Sequence, residues 1–396
     1  MEGWRSYTIA EIGNTITGKT PSGKIKGSYG KEIPFVTPSD FKNYNKNIFN
    51  AERCLSSIGI NQLASKVLPV DSVIVTCIGS DMGKVALNKV QCITNQQINS
   101  IISNRLLVDP TFLYYKLTDE YLTLKNLATG GSTMPILNKS EFDRIEVCLP
   151  PLPIQHRIAE ILSALDDKIE LNRQMNHTLE QMAQAIYKHY FVDDIDPENL
   201  PEGWRNGTLG EIFSITMGQS PDGKSYNTEK AGIIFFQGRT DFGFRFPEIR
   251  MYTTEPRRYA QKYDTLVSVR APVGDINVAF DKCCIGRGLA AVQHKWHKPS
   301  YTYYCLKNLY SEFATYNGEG TVFGSINRDD FNGIPLIIPS EKNIDLFEQN
   351  IGPLDDLIFS NHLEINNLLS IRDYLLPKLI SGEIIPSDLQ AIEQTL

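Results

Sequence analysis

Apolar residues recur every seven positions in two stretches of the chain. The first stretch covers about 38 residues from Ile154 to Phe191, and the second starts after Pro339 and runs to about Ile380. An apolar period of seven is typical of a long helix that packs along a seam against another helix. Adding 189 to each seam position of the first stretch gives the corresponding position of the second. The seam positions are Ile158, Leu165, Asn172, Leu179 and Ile186 in the first stretch and Phe347, Leu354, Asn361, Leu368 and Leu375 in the second.

Both seams carry an asparagine at their central position. A polar seam residue fixes register or partner at a cost in stability, although in a simpler interpretation the helices are only core and the asparagines are tolerated. We expect the two helices to run antiparallel with Asn172 close to Asn361, and we expect Asn172→Leu to stabilise the pair while loosening its spacing. A neighbouring apolar stripe predicts that helices of another chain pack beside the seam. The stripe is formed by Leu162, Ile169, Ile351, Ile358 and Ile365.

The remainder of the chain is also duplicated. The opening WRSYTIAEIGNTITGKTPSGK returns 200 residues later as WRNGTLGEIFSITMGQSPDGK, so that Trp4 corresponds to Trp204 and Pro21 to Pro221. Further on, IPFVTPSDF (33–41) corresponds to IFFQGRTDF (234–242). Identities at a fixed spacing indicate an internal repeat. Between the repeats, short β-branched and aromatic runs bounded by Gly, Pro and Asn predict strands with a few helices.

These patterns predict an α+β fold in which two strand-rich domains, in a pseudo-twofold arrangement, are separated by two long antiparallel coiled-coil helices. The predicted segments are a first half (1–150), a first helix (151–192), a linker (193–203), a second half (204–340), a second helix (341–380) and a C-terminal tail (381–396).

Charge is distributed unevenly over these segments. The chain carries a net charge of −7, yet residues 1–150 hold 16 Lys and Arg against 13 Asp and Glu, and residues 201–340 hold 16 against 14. Residues 151–200 hold 4 against 9, and residues 341–396 hold 3 against 10. An anionic ligand is therefore expected on the halves and a protein partner on the helices.

Composition and motifs narrow the classes of function. The seven cysteines form no C-x-x-C pair, so neither a disulfide framework nor a zinc site is predicted. The N-terminus lacks the apolar core of a signal peptide and no apolar run approaches ~18 residues, which favours a cytoplasmic protein without a membrane span. The sequence contains no P-loop, H-E-x-x-H, G-x-S-x-G or D/N-P-P-Y/F motif, so we expect a non-catalytic chain without a metal.

Loops rich in Gly, Ser, Thr, Lys and amide side chains recur at matching places in the two halves. Such loops suit phosphate contacts, and Gln, Asn and Arg can bond base edges bidentately. For any single residue an ordinary turn is the simpler interpretation, but the loops recur while their polar side chains differ, as readers of two different sequences require. The candidate DNA contacts are Lys19, Thr20, Ser22, Lys24, Ser39, Asp40, Gln96, Gln97 and Thr133, with Asn95 beside them, and Gln219, Ser220, Lys224, Gln237, Arg239, Arg245, Arg270, Arg287 and Thr321.

Taken together, these features resemble the specificity subunit of type I restriction-modification enzymes. The resemblance rests on the two similar openings, on TGKTPS followed by IPFVTPSDF, on the G-S/T-x-x-x-I/L-N loops, and on LPPLPIQHRIAEILSALDDKIELN (149–172). It spans essentially the whole chain. The second copy departs from the proline-rich, Gln-containing helix entry with IPSEKNIDLFEQNI (338–351).

The resemblance implies that each half is a target recognition domain reading one half of a bipartite, asymmetric DNA site. Two modification (methyltransferase) subunits would dock around the helices and supply S-adenosylmethionine. Two restriction subunits, where the cell has them, would add ATP- and Mg-dependent translocation and cleavage, and this chain would bind no cofactor. Two other hypotheses remain at this point, a pseudo-symmetric coiled-coil scaffold that binds protein or small molecules and a self-sufficient modifying enzyme.

Overall fold

The computed structural model describes residues 3–43, 46–79, 82–121, 136–270, 272–317 and 324–386. Contacts divide the chain into two compact units. The first unit combines the first half with the first long helix up to Leu171 and the second long helix from Glu364 onward, and the second unit is Asn172–Leu363. Within the described ranges, none of the helices combines the length and apolar character needed to cross a membrane.

Both halves are built from short strands. The strands of the first half are Arg5–Thr8 (β1), Gly13–Thr17 (β2), Tyr29–Gly30 (β3), Ile33–Val36 (β4), Asn47–Ile48 (β5), Cys54–Leu55 (β6), Val73–Thr76 (β7), Val85–Asn88 (β8), Ile93–Thr94 (β9), Ile98–Ser103 (β10) and Glu146–Leu149 (β11). Those of the second half are Arg205–Thr208 (β12), Phe213–Met217 (β13), Tyr226–Asn227 (β14), Ile233–Phe236 (β15), Tyr252–Thr253 (β16), Tyr259–Ala260 (β17), Thr265–Val269 (β18), Val273–Val278 (β19), Cys283–Ile285 (β20), Leu289–His294 (β21) and Pro335–Ile338 (β22).

Two long helices and several short ones accompany the strands. The long helices are Leu152–Phe191 and Glu341–Ser381, hereafter the first and second long helix. The short helices are Ile9–Ile12, Ser57–Gln62, Pro110–Asp119 and Lys139–Asp143 in the first half, and Leu209–Ile212, Pro299–Asn308, Tyr310–Ala314 and Arg328–Gly333 in the second.

The strand order repeats between the halves. In the first half the sheets have the orders β2-β10-β7-β8-β5, β3-β6-β4-β9 and β1-β11, and in the second they have the orders β13-β21-β18-β19, β14-β16-β15-β20-β17 and β12-β22. The halves thus differ only in where one extra strand is added, β5 in the first and β17 in the second. Both halves contain an equivalent parallel pair, β4 with β9 and β15 with β20, and in the first half the added strand β5 also pairs parallel with β8. The α+β class with two repeated strand-rich halves is confirmed.

Each unit contains one antiparallel pair of helix segments, buried against its half. In the first unit Ile158 packs in one cluster with Leu379, and Asp166 accepts a hydrogen bond from Arg372 at 3.0 Å. In the second unit Asn361 donates to Asn176 at 2.8 Å. The position on the second helix therefore falls as the position on the first rises, which is the antiparallel direction that the heptads predicted.

The stripe beside the seam was assigned wrongly from the sequence. Its members are only 0–9% exposed within this chain alone, so they are already covered and need no helices of another chain to bury them. Stripe and seam lie four residues apart, and together they are the two apolar columns of one antiparallel helix pair. The exposed fractions are 0% for Leu162, 2% for Ile169, 0% for Ile351 and Ile358, and 9% for Ile365. Of the seam residues, Ile158, Asn172, Phe347 and Asn361 are buried, and Leu165, Leu179, Ile186, Leu354, Leu368 and Leu375 are half-buried.

The predicted asparagine pair also differs in one partner. Asn172 is 0% exposed, but the hydrogen bond of Asn361 goes to Asn176, one helical turn further on. Asn176 in turn donates to the carbonyl of Ile358 at 3.4 Å. The hydrogen bond of Asn361 thus falls one turn beyond the seam position Asn172 on the first long helix.

Candidate nucleic-acid interface

In the first half, three loops that are far apart in the sequence meet at one edge. The parallel strands β4 and β9 end side by side, and the amide of Asn95 donates to the carbonyl of Val36 at 3.1 Å. The loop that follows β2 joins them, because the amide of Lys19 donates to the carbonyl of Thr94 at 2.9 Å. The hydroxyl of Thr20 donates to the side chain of Gln96 at 2.7 Å. We call residues 18–22, 37–40 and 95–97 the first loop cluster.

The second half builds the same arrangement from different side chains. Beyond β15 and β20, the amide of Gly286 donates to the carbonyl of Phe236 at 2.8 Å, and that of Gln219 to Ile285 at 3.0 Å. The amide of Arg287 donates to the hydroxyl of Ser220 at 3.2 Å. Residues 218–220, 237–241 and 286–288 therefore form a second loop cluster, equivalent to the first.

One glycine in each cluster is required by close backbone approach. A Cβ on Gly18 would lie 2.2 Å from the carbonyl oxygen of Asn95, and one on Gly218 would lie 2.1 Å from that of Gly286. Real side chains never come so close to backbone, so only glycine lets the loop pack onto the strand ends. The glycines of TGKTPSGK and MGQSPDGK thus bring the predicted contact residues together.

Most of the predicted DNA contacts are accessible. The exposed ones are Lys19, Thr20, Ser22, Lys24, Gln96, Gln219, Lys224, Gln237, Arg239, Arg270 and Arg287. Ser39, Gln97 and Ser220 are half-buried, and Asn95 is buried. Thr133 and Thr321 lie outside the described residues.

The charged members of the clusters differ in how far they are already paired. Arg239 forms an ion pair with Asp275. Among the described residues, no ion pair involves Lys19, Lys24, Lys224, Arg270 or Arg287. Exposed cations beside exposed amides can bind phosphates and base edges together, which is what sequence-specific DNA contacts require.

Asp40, one of the predicted DNA contacts, has a structural role in its own loop. One carboxylate oxygen accepts from the amide and the hydroxyl of Thr37 at 2.7 and 2.9 Å, and the other accepts from the amide of Glu52 at 2.7 Å. A carboxylate that already accepts these bonds shapes the loop, and its charge would repel phosphate. Its counterpart Asp241, which the sequence analysis missed, accepts from the amides of Gln237 and Gly238 at 2.7 and 3.3 Å. The signal was present, since FVTPSDF and FFQGRTDF place an aspartate at the same position.

Arg245 was predicted to contact DNA, and its burial contradicts that prediction. It is only 4% exposed, and its guanidinium donates to Asp355 on the second long helix at 2.7 Å. Burial disfavours the charged form, but Asp355 with Tyr303 and Tyr304 outweighs it and raises the pKa of Arg245 above its ordinary value. The residue is therefore a charged part of the interior of the second unit.

Comparison with known proteins identifies the family of the chain. The family model described as type I restriction modification DNA specificity domain matches residues 1–181 and 201–352. The chain is 28% identical over 414 residues to the specificity subunit of the type I restriction enzyme MjaIX of Methanocaldococcus jannaschii, covering 96% of this chain and 93% of that protein. It is 31% identical over 296 residues to the putative MjaX specificity subunit of the same organism, covering 71% and 69%.

A solved structure shares the fold. The S subunit of a type I restriction-modification system from M. genitalium superposes with a TM-score of 0.65 at 20% identity, covering 95% of this chain and 96% of that one. The family model matches the chain in two segments, as the duplication requires, and the relatives are specificity subunits of the same kind of enzyme. This chain belongs to the family of type I restriction-modification DNA specificity subunits.

Proposed function

We propose that this chain reads a bipartite, asymmetric DNA sequence for a type I restriction-modification enzyme, one half-site with each loop cluster. The observation that carries the proposal is the duplicated cluster itself. Two equivalent backbone frameworks present different side chains, Lys19, Thr20 and Gln96 in one and Gln219, Gln237 and Arg287 in the other. Identical frameworks with different donors and acceptors suit the reading of two different base sequences.

The chemistry is proposed to come from partners. Two modification subunits would dock around the long helices and transfer the methyl group from S-adenosylmethionine, and two restriction subunits would use ATP and Mg. The chain itself would be non-catalytic, and it would recognise the DNA sequence and hold the other subunits together. A cytoplasmic location follows from this role, because the substrate is the DNA of the cell. Shared phosphate contacts with the partners explain how a chain with few cations at each cluster suffices, since phosphates dominate affinity.

An exchange of one half tests the proposal. Residues 1–150 are replaced by those of a relative with a different target, the chimera is expressed with its modification subunits, and methylated sites are mapped by sequencing of the host genome. One half of the methylated sequence should change while the other half stays as in the unmodified chain. An unchanged target, or a target that changes in both halves, would contradict separate reading by the two halves.

A control keeps the test specific. The reciprocal exchange of residues 204–340 should change the other half of the site and leave the first half unchanged. Methyl transfer by the purified chain alone, with labelled S-adenosylmethionine and duplex DNA, should be absent, and transfer in that assay would overturn the non-catalytic part of the proposal.

A further inference from the structure

A buried cluster of charged and aromatic side chains in the second unit involves both long helices and the recognition half. Its centre is Arg245, which lies a few residues after the loop 237–241 of the second loop cluster. One guanidinium nitrogen donates to Asp355 of the second long helix at 2.7 Å. Another lies 3.9 Å from the carboxylate of Glu180 on the first long helix. A single side chain of the recognition half thus touches both helices.

Two tyrosines and a lysine complete the cluster. The guanidinium carbon stands 3.3 Å from the ring centre of Tyr303, whose hydroxyl donates to Glu180 at 3.1 Å. The hydroxyl of Tyr304 donates to Asp355 at 3.1 Å and lies 3.3 Å from the guanidinium. Lys307 pairs with Glu180. Two cations therefore meet two carboxylates, so that neither charge of the helices is left buried without compensation.

The first unit contains part of the same design. Lys46 occupies the place of Arg245, because its carbonyl accepts from Leu87 at 2.8 Å as that of Arg245 accepts from Val278 at 2.8 Å. Lys46 pairs with Asp167 at 3.0 Å, a carboxylate whose side chain is 66% exposed. Lys46 itself is 8% exposed, so only its carboxylate partner is solvated, whereas Arg245 and Asp355 are both enclosed, with their side chains 4% and 17% exposed. A pair whose carboxylate is solvated fixes an orientation less firmly than an enclosed one.

The tyrosine–aspartate contact is shared by both units. Tyr115 donates to Asp166 at 2.6 Å, and both residues lie 189 positions before Tyr304 and Asp355. The cation on Asp166 is Arg372 of the second long helix, at 3.0 Å. In the first unit, then, Arg372, which is 29% exposed, joins helix to helix, and Lys46 pairs with a carboxylate of the first long helix alone. In the second unit Arg245 pairs with one carboxylate of each long helix.

From this difference we infer that Arg245 is a positioning residue, which holds the second recognition half in one orientation on the long helices and thereby fixes the gap between half-sites that the enzyme accepts. The inference rests on the proposed reading of two half-sites. A planar guanidinium stacked on Tyr303 and bonded to Asp355 specifies an orientation, which a flexible ammonium does not. Because Arg245 lies in the same connection between β15 and β16 as Gln237 and Arg239, a shift at Arg245 would move these predicted DNA contacts without altering their side chains.

The test compares gap lengths on the assembled methyltransferase. Wild type, Arg245→Lys and Arg245→Met are assayed on duplexes that carry the cognate half-sites with the natural gap or with one base pair more or less. We expect Arg245→Met to lower the ratio of rates between natural and altered gaps at least tenfold, with Arg245→Lys in between. Preference for the correct bases within each half-site should persist. A matched control is Arg250→Met, because Arg250 pairs with Glu248 at 2.8 Å on the surface with both side chains more than half exposed.

The outcomes separate the possible failures. If Arg245→Met remains folded, as its melting curve shows, and keeps the wild-type gap ratio, the inference is overturned. If the variant does not fold, Tyr304→Phe replaces it, since this change removes one hydroxyl from the cluster and should lower the same ratio, and an unchanged ratio would again overturn the inference. Absence of sequence-specific methylation by the wild-type complex would overturn the proposed function, and this inference with it.

Discussion

At the residue scale, the loop clusters depend on two aspartates that bond the backbone of their own half. Asp40 accepts from the amide of Thr37 in the loop that follows β4 and from that of Glu52, and Asp241 accepts from the amides of Gln237 and Gly238 in the loop that follows β15. Each carboxylate closes the loop into a compact turn and leaves the exposed residues on its outer side. The readers are thus held by buried or half-buried acids of the same loop.

Asp241→Ala tests this role. Loss of the acceptor leaves the amides of Gln237 and Gly238 without their partner, and the free energy of unfolding should fall by about 1–3 kcal/mol. Methylation of sites altered in the second half-site should rise relative to the cognate site, because Gln237 is no longer held. The exposed Asp281, which accepts only from the amide of Lys282 at 2.7 Å, provides the control Asp281→Ala. Equal effects of both changes would contradict a specific role for Asp241.

Asp264 should make stability depend on pH. Burial raises its pKa from 3.8 to about 6 against the hydrogen bond from the amide of Gln261, which lowers it. A raised pKa means that the folded state favours the protonated acid. This contribution is complete below the ordinary pKa and is lost as pH rises through about 6.

Asp264→Asn carries the corresponding prediction. The amide can still accept from Gln261 but has no charge to bury, so the variant should gain about 2 kcal/mol over wild type at pH 8 relative to pH 4. Melting temperatures of both proteins across this range measure the difference. Parallel curves for the two proteins would show that Asp264 keeps an ordinary pKa in the folded state.

The sequence predicted loops better than individual contacts, for a physical reason. Glycine positions and repeated motifs are local, so the clusters could be placed from them. Whether an arginine of a loop faces solvent is decided elsewhere, since Arg245 is buried by Asp355, 110 positions away. Arg239 and Arg245 look alike in the sequence, and only tertiary contacts distinguish the exposed one from the buried one.

At the scale of elements, the first turns of each long helix bond the start of a short helix in the same half, but they do so with different residues. The side chain of Gln155 bonds the amide of Asp109 at 2.9 Å and the carbonyls of Leu107 and Pro150 at 3.0 and 2.8 Å. The second helix lacks this glutamine. There Glu348 accepts from the amides of Ser300 and Tyr301 at 3.1 and 3.0 Å and so caps the helix Pro299–Asn308.

The use of Glu348 in place of a glutamine accounts for the different sequence at the start of the second long helix. In the first half Asp109 caps its own helix, accepting from Thr111 and Phe112, so the long helix is free to supply Gln155. In the second half Lys298 at the same place makes no side-chain cap, and the long helix supplies the acid instead. The heptads predicted both long helices because a seven-residue period lies within one stretch of sequence. The residue that caps the short helix comes from the short helix in one half and from the long helix in the other, and such a change between two helices leaves no periodic pattern.

The asparagines of the helix pair should show coupling. Asn361→Leu leaves the side-chain oxygen Oδ1 of Asn176 buried without its donor, so the free energy of unfolding should fall by about 1–3 kcal/mol. Replacing both residues by leucine removes donor and acceptor together and should recover most of that loss, or exceed wild type. Chemical unfolding of wild type, both single variants and the double variant gives the coupling energy. Additive losses would mean that the bond of 2.8 Å contributes nothing.

At the scale of the whole molecule, charge separates the two strand-rich halves from the helices. Residues 1–150 and 201–340 hold more basic than acidic residues, and the helical segments hold more acidic ones. Part of that acid is used internally, since Asp166, Glu180 and Asp355 bind arginine, lysine and tyrosine within their units. The rest gives the helices a negative surface, which would disfavour DNA there and favour the proposed site at the loop clusters.

Salt dependence of DNA binding measures this division. Lys19→Gln with Lys24→Gln should weaken binding of the assembled complex to duplexes of any sequence, because both lysines are expected to neutralise phosphates. The slope of log K against log salt should become shallower by about 2, one for each lost phosphate contact. Lys342→Gln, at an exposed position of the second long helix, should leave the slope unchanged. A slope that changes with Lys342 and not with the lysines of the first half would place the DNA along the helices and would contradict the division of charge argued here.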